Sequence, residues 1–325
     1  MSVLTTLPEH LYDAGAFKGF QAGSRFTIEN ARALAWMCQL AYETDDQEKV
    51  QRILRTWGGE LVEHGIVAQS LKIHELPIAD SRCLLASFPS GIVLAFAGTD
   101  PLSLANWITD FDTVFSPQNT AMGYQNAVDL VWPALRQLLL TETNPRSSLL
   151  VVGHSLGGAL AAVVAYQACK EGVRDVKAVY TFGMPRVGGD TFRSEYHEVL
   201  GLTTYRLVYG NDIVPTVAPP ELGYRHVGRY FSAVHNRRFS TEKLSPDDFS
   251  DMPAFLPGIA TELVSKFQNR LPSIAPISTR MRIAGAVLAG LPVSSGRSDL
   301  TGILIEILPP QLRDHILDRY IAALI

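Results

Sequence analysis

The sharpest chemical signal in the 325-residue chain is Leu149-Leu150-Val151-Val152-Gly153-His154-Ser155-Leu156-Gly157-Gly158. A leucine and β-branched strand leads into a serine between two glycines, and an Ala/Gly/Val-rich helix follows it. This strand–turn–helix setting makes Gly-x-Ser-x-Gly more than a string match, because a nucleophilic serine must sit on a tight, strained turn that projects its hydroxyl above the sheet edge. Side chains at 153 and 157 would collide with the neighbouring strand and helix, and glycine removes them. The amides at the start of the helix point toward the same centre. The chemistry implied is nucleophilic catalysis by Ser155.

A serine hydroxyl is a poor nucleophile at neutral pH and needs a histidine base oriented by a carboxylate. Asp212 is the preferred carboxylate. It follows the strand-like Thr203–Val208, sits in a Gly-Asn-Asp-x-x-Pro turn and comes after the serine, as the order Ser…Asp…His requires. The bland reading of Asp212 is an Asx turn ahead of Pro215. Asp190, after Gly188-Gly189, is a weaker candidate that reads as a helix N-cap. That chain order leaves His226, His235 and His315 as candidate bases. His154 touches the nucleophile in sequence, but successive residues of a sharp turn point apart, so it is expected to pack rather than react.

These residues need a scaffold. Thr27 can cap a helix running to about Tyr42, and a charged helix from Asp46 to Trp57 is closed by Gly58-Gly59. Strand-like segments follow at Ser70–Glu75, Cys83–Phe88 and Ile92–Phe96, the last two joined as a hairpin by Pro89-Ser90-Gly91. From Met122 the rhythm changes to helix (Gly123–Leu140, interrupted by Pro133), strand (Leu149–Val152), helix (Leu156–Cys169), strand (Ala178–Phe182), helix (from Asp190) and strand (Thr203–Val208). Alternation at this spacing predicts parallel βαβ units with helices on both faces. Tyr224–Phe231 reads as a hairpin-like piece, and a last helix runs from about Gln311 to Ala323. Residues 240–312 carry Pro246, Pro253, Pro257, Pro272, Pro276, Pro292, Pro309 and Pro310 between short apolar stretches. They read as a helical insertion or cap within a single domain spanning 1–325.

Composition closes off other classes. Lys+Arg 28 against Asp+Glu 32 leaves a net charge of −4, so no basic field exists to hold a nucleic acid. Cys38, Cys83 and Cys169 are too few and too scattered for a disulfide framework or a metal site. No stretch is apolar for the ~20 residues that span a bilayer. A mean hydropathy of +0.10 fits either a large core or contact with lipid and does not separate them. The segment Met1–Phe17 shows no basic and apolar signal pattern. The expectation is a cytoplasmic protein, or one exported without a recognisable Sec signal.

The elbow and its flanks resemble the α/β-hydrolase fold, and within it the class 3 (fungal-type) lipase family. Phe96-Ala97-Gly98-Thr99, Asn106-Trp107, Thr181-Phe182-Gly183-Met184-Pro185-Arg186-Val187-Gly188 and Asn211-Asp212-Ile213-Val214-Pro215 match that family in order, over about residues 27–235 and again near the C-terminus. The resemblance implies a mostly parallel central sheet flanked by helices, with a C-terminal helical insertion. It implies His315 as the base, from Arg313-Asp314-His315…Tyr320, which resembles the family's histidine at the opening of the final helix. The family's histidine comparable to His226 is not the base. An oxyanion hole would come from the amides of Leu156 and Thr99. Ala97 stands where many relatives carry arginine, which removes a structural ion pair and leaves Gly98-Thr99 intact. Residues 101–112 occupy the lid position, where Leu104, Trp107 and Ile108 share one helical face that would either meet substrate or pack on the core as an ordinary amphipathic helix. The activity implied is a serine carboxylic-ester hydrolase acting on acylglycerols, at a lipid–water interface, with no metal and no organic cofactor. The alternatives are a phospholipase A1-type or aryl (feruloyl) esterase, acyl transfer to another alcohol, and a lipase-like binding or scaffold protein.

Overall fold

The computed structural model describes residues 5–73, 76–98, 114–141, 143–218, 220–241 and 310–325. Thr99, the lid segment 101–112 with Leu104, Trp107 and Ile108, and nearly all of the 240–312 insertion lie outside the described residues.

Among the described residues, β1 (Glu60–Ile73), β2 (Leu76–Phe88), β3 (Gly91–Phe96), β4 (Leu149–His154), β5 (Val176–Phe182), β6 (Thr204–Tyr209) and β7 (Arg229–Ala233) form one sheet in the order of the sequence. β1–β2 and β2–β3 are antiparallel, and every later pairing is parallel. The helices are α1 (Ile28–Ala41), α2 (Gln47–Thr56), α3 (Met122–Thr141), α4 (Leu156–Lys170), α5 (Asp190–Val199) and α6 (Leu317–Ala322).

Strands that advance one place at a time, each through a right-handed crossover, put all their crossover helices on one face. Side chains from α3, α4 and α5 accordingly share one buried cluster with Leu94, Phe96, Val151 and Val179. The alternate strand residues Val93, Ala95, Val152, Tyr180 and Phe182 meet α1, α2 and α6 on the other face. Helices do cover both faces, but the second face is covered by the two ends of the chain. That is what carries the C-terminal segment to the strand ends. A six-residue helix such as α6 is not stable alone. Burial of Leu317 and Ile321 stabilises it by roughly 1.5–3 kcal/mol each.

The local signals work as expected at α1 and α2. Thr27 Oγ1 accepts the Asn30 N–H at 3.0 Å, Asp46 Oδ1 accepts that of Lys49 at 3.0 Å, and Gly58 closes α2 at φ +75°.

Four expectations need correction. Pro133 does not interrupt α3, because it lies on the exposed side and the carbonyl that loses its donor, on exposed Asp129, can turn to water. β1 begins well before Ser70, since the register shift between Leu61 and Ile66, where His64 takes φ +54°, breaks the two-residue alternation, and β2 begins at Leu76, ahead of Cys83. The Tyr224–Phe231 piece is no hairpin. Gly228, at φ +80° against Thr204, ends a loop, and β7 then pairs in parallel with β6. The final helix is split into a single helical turn, Pro310–Arg313, and α6, with Asp314-His315-Ile316 between them. The split has a polar cause: Asp314 Oδ2 accepts the Asn211 N–H at 2.9 Å, and Asp314 Oδ1 lies 3.0 Å from His235 Nδ1.

Candidate active site

β4 ends at His154 and α4 begins at Leu156, leaving Ser155 alone on the elbow at φ 59°, ψ −133°. A non-glycine residue at positive φ costs about 1–3 kcal/mol and persists only where its surroundings hold it. Here Ser155 N–H donates to Phe182 O at 2.9 Å, and Ser155 O accepts from Gly158 N–H at 2.9 Å. A Cβ at Gly153 would lie 2.0 Å from Gly157 O, and one at Gly157 would lie 2.4 Å from Ala97 O. Gly153 therefore makes room for the elbow itself, and Gly157 for the end of β3.

That end of β3 is the second arm of the site. A Cβ on Gly98 would sit 2.6 Å from Tyr42 Oη and 2.7 Å from Ser155 Cβ, so only glycine lets this loop lie against the serine. The next residue is Thr99. Across the site, buried Leu156 opens α4, where a first-turn amide has no acceptor inside the helix.

The third arm joins the loop after β6 to the C-terminal turn. His315 Nδ1 lies 2.9 Å and 2.8 Å from the two carboxylate oxygens of Asp212. Asp212 Oδ1 also accepts the Val214 N–H at 2.9 Å, so the Asx turn and the histidine contact are made by one carboxylate. Tyr320 O–H donates to Asp212 Oδ2 at 2.5 Å. Burial, and then the Asp212 charge, push the Tyr320 phenol well above its usual range, which keeps it a donor. Gly183, at φ +62°, underlies the pair: a Cβ there would come 2.6 Å from Asp212 Oδ2 and 2.8 Å from His315 Nδ1.

Ser155 Oγ and His315 Nε2 are both buried, and among the described residues neither has a hydrogen-bond partner. Buried polar atoms are nearly always paired, so two orphans at one site call for an explanation in function.

The remaining candidates are used elsewhere. His226 Nε2 lies 2.8 Å from Pro215 O, and burial, with Arg206 and Arg186 nearby, holds the ring well below its usual range. His235 faces Asp314. Asp190 is the first residue of α5, with Gly189 as the cap, and pairs with Arg225 at 2.9 Å. His154 is buried, and its ring stacks on that of His315 at 4.6 Å between centroids. Sequence reasoning missed Tyr42 and Gly183 as site residues and assigned no role to Tyr320. Tyr320 stood inside the Asp-His…Tyr segment, whereas nothing local marks Tyr42. Among the described residues no cluster of His, Cys, Asp and Glu could hold a metal, and no helix is long and apolar enough to cross a membrane.

Residues 93–222 match the family model described as Lipase (class 3). A secreted mono- and diacylglycerol lipase of Fusarium solani is 33% identical over 143 residues, covering 42% of this chain and 41% of that protein. The chain thus spans less than half the length of this relative. The lipase of Rhizomucor miehei in its propeptide complex superposes with a TM-score of 0.54 at 24% identity, over 71% of this chain and 78% of that one. A triacylglycerol lipase described as having a serine protease triad as its catalytic centre gives a TM-score of 0.52 at 24% identity, over 65% of this chain and 83% of that one.

Proposed function

We propose that the chain, which matches the class 3 lipase model over residues 93–222 and has an α/β-hydrolase fold, is a serine carboxylic-ester hydrolase acting on acylglycerols. One observation carries the reading: a buried histidine is held at one nitrogen by a carboxylate, while its other nitrogen and a serine hydroxyl on a strained elbow are both buried and unpaired. The family's acylglycerol chemistry and the name of the Fusarium relative support the substrate class.

In this reading Ser155 Oγ attacks the ester carbonyl carbon as His315 Nε2 takes its proton. Asp212 holds the imidazole through Nδ1 and stabilises the imidazolium, as the buried carboxylate of a serine triad does. The amides of Leu156 and Thr99 stabilise the tetrahedral oxyanion. His315 then gives its proton to the departing alcohol oxygen, leaving the acyl group on Ser155. Water attacks that ester with His315 again as base, which releases the acid and restores the serine. These steps call for no metal or organic cofactor. Residues 101–112, with Leu104, Trp107 and Ile108, are assigned to the lid and acyl contact, and 240–312 to the cap of a single domain. Export is favoured over a cytoplasmic site because the Fusarium relative is named as secreted.

The test is Ser155→Ala, assayed on p-nitrophenyl and acylglycerol esters beside the wild type. Activity should fall by several orders of magnitude in a folded protein. Retention of more than about a hundredth of wild-type turnover would remove Ser155 as nucleophile.

A further inference from the structure

We propose that Tyr42 and His154 are positioning residues, forming a buried relay that fixes the oxyanion loop and the backbone of the base relative to each other. The proposal rests on the Ser155–Asp212–His315 reading.

The relay has three links. Gly98 N–H donates to Tyr42 Oη at 2.9 Å, Tyr42 Oη lies 2.8 Å from His154 Nδ1, and His154 Nε2 lies 2.8 Å from the His315 carbonyl oxygen. Tyr42 and His154 are 3% and 5% exposed, so water offers little substitute for any link. The proton positions follow. A carbonyl only accepts, so Nε2 of His154 carries the hydrogen. Burial, and then the neighbouring His315, hold the His154 ring well below its usual pKa and therefore neutral. Its Nδ1 is then an acceptor and Tyr42 O–H the donor, while the Tyr42 oxygen receives the Gly98 amide. The chain of donors runs from the loop before Thr99, through the elbow histidine, to the main chain of His315.

Two consequences bear on turnover. Pinning the Gly98 amide on one side and the His315 carbonyl on the other removes backbone freedom from both groups that must meet the reacting carbonyl. Misplacement of such groups by about 1 Å can cost 100-fold in rate. The His154 ring also lies face to face with His315, with 27° between their planes. A neutral ring there is compatible with the positive charge His315 gains as it takes the serine proton, whereas a protonated one would repel it.

Packing alone would explain a buried aromatic pair, and the variants separate the two accounts. Tyr42→Phe keeps the ring and removes one oxygen. His154→Phe keeps a stacked ring without either bond, and His154→Gln keeps an N–H near the Nε2 position without the ring. With wild-type esterase activity and Ser155 labelling by a fluorophosphonate in hand, kcat, KM and thermal midpoint are measured for all three. Expected are a Tyr42→Phe kcat about tenfold or more below wild type with KM within about twofold, and more activity in His154→Gln than in His154→Phe. A Tyr42→Phe enzyme with wild-type kcat, or His154→Phe more active than His154→Gln, overturns the relay and leaves the triad reading standing. A wild type with neither activity nor labelling fails the underlying reading instead. Should the His154 variants not fold, Tyr42→Phe decides alone.

Discussion

Two carboxylate–histidine pairs lie side by side where the loop after β6 meets the C-terminal turn, and they are built almost alike. Asp212 lies 2.8 Å from His315 and Asp314 lies 3.0 Å from His235, both through Nδ1. Both carboxylates are fully buried, and each lies against a glycine at positive φ, Gly183 for the first and Gly210 for the second. The pairs are interlaced, since Asp314 also takes the amide of Asn211, next to Asp212. They differ at the histidine. The His315 side chain is 3% exposed and its Nε2 is buried without a partner among the described residues, whereas that of His235 is 35% exposed. The contact with the carboxylate therefore does not single out a base. The surroundings of the histidine differ, and on the proposed reading it is the buried, unpartnered nitrogen of His315 that takes the serine proton. The second pair is suited to clamping the Asp212 loop onto the His315 turn.

The hardest way to break this comparison is to remove the histidines in parallel. His315→Ala should lose at least three orders of magnitude in kcat, while His235→Ala keeps most of its activity and loses some thermal stability. A reversal in ester assays of the two folded proteins would exchange their roles. The carboxylates should divide similarly but less widely. Asp212→Asn leaves His315 with the wrong tautomer and should cost roughly 10³–10⁴ in kcat. Asp314→Asn should cost stability, about 1–3 kcal/mol by urea denaturation for its mispaired buried groups, and less than about tenfold in kcat. Equal kinetic losses would show the clamp to be part of the reacting machinery. The smallest contrast lies in the glycines. Gly183→Ala and Gly210→Ala should each lose about 1–3 kcal/mol, because both require positive φ. Only Gly183→Ala should also lower kcat, its methyl group pressing on Asp212 and His315. A Gly210→Ala enzyme with the larger kinetic loss would undo the assignment of the two pairs.

Much of this was written locally. The elbow was legible because a strand, a turn and a helix with glycines at 153 and 157 are consecutive in sequence. The ends of α1 and α2 were legible because a cap acts over three residues. Elements failed where a long-range contact overruled a local pattern. The last helix breaks at Asp314 because Asn211 and His235 claim its carboxylate. β7 pairs in parallel, though the alternation at 224–231 reads as a hairpin.

Residue type and chain order determined by themselves that Ser155 could be a nucleophile, that Asp212 followed it and that only three later histidines could serve. His315 was chosen among those three by resemblance, since all three are histidines and the sequence does not say what each would face. That was left to the tertiary structure, which brings His315 onto Asp212 from 103 residues away and stacks it on His154. The physical reason is range. Turns, caps and steric gaps are set by neighbours in the chain, whereas burial, tautomer and the partner of a second nitrogen depend on which distant segments pack together. Here that packing follows from a sheet whose order puts every crossover helix on one face and leaves the other to the two ends of the chain.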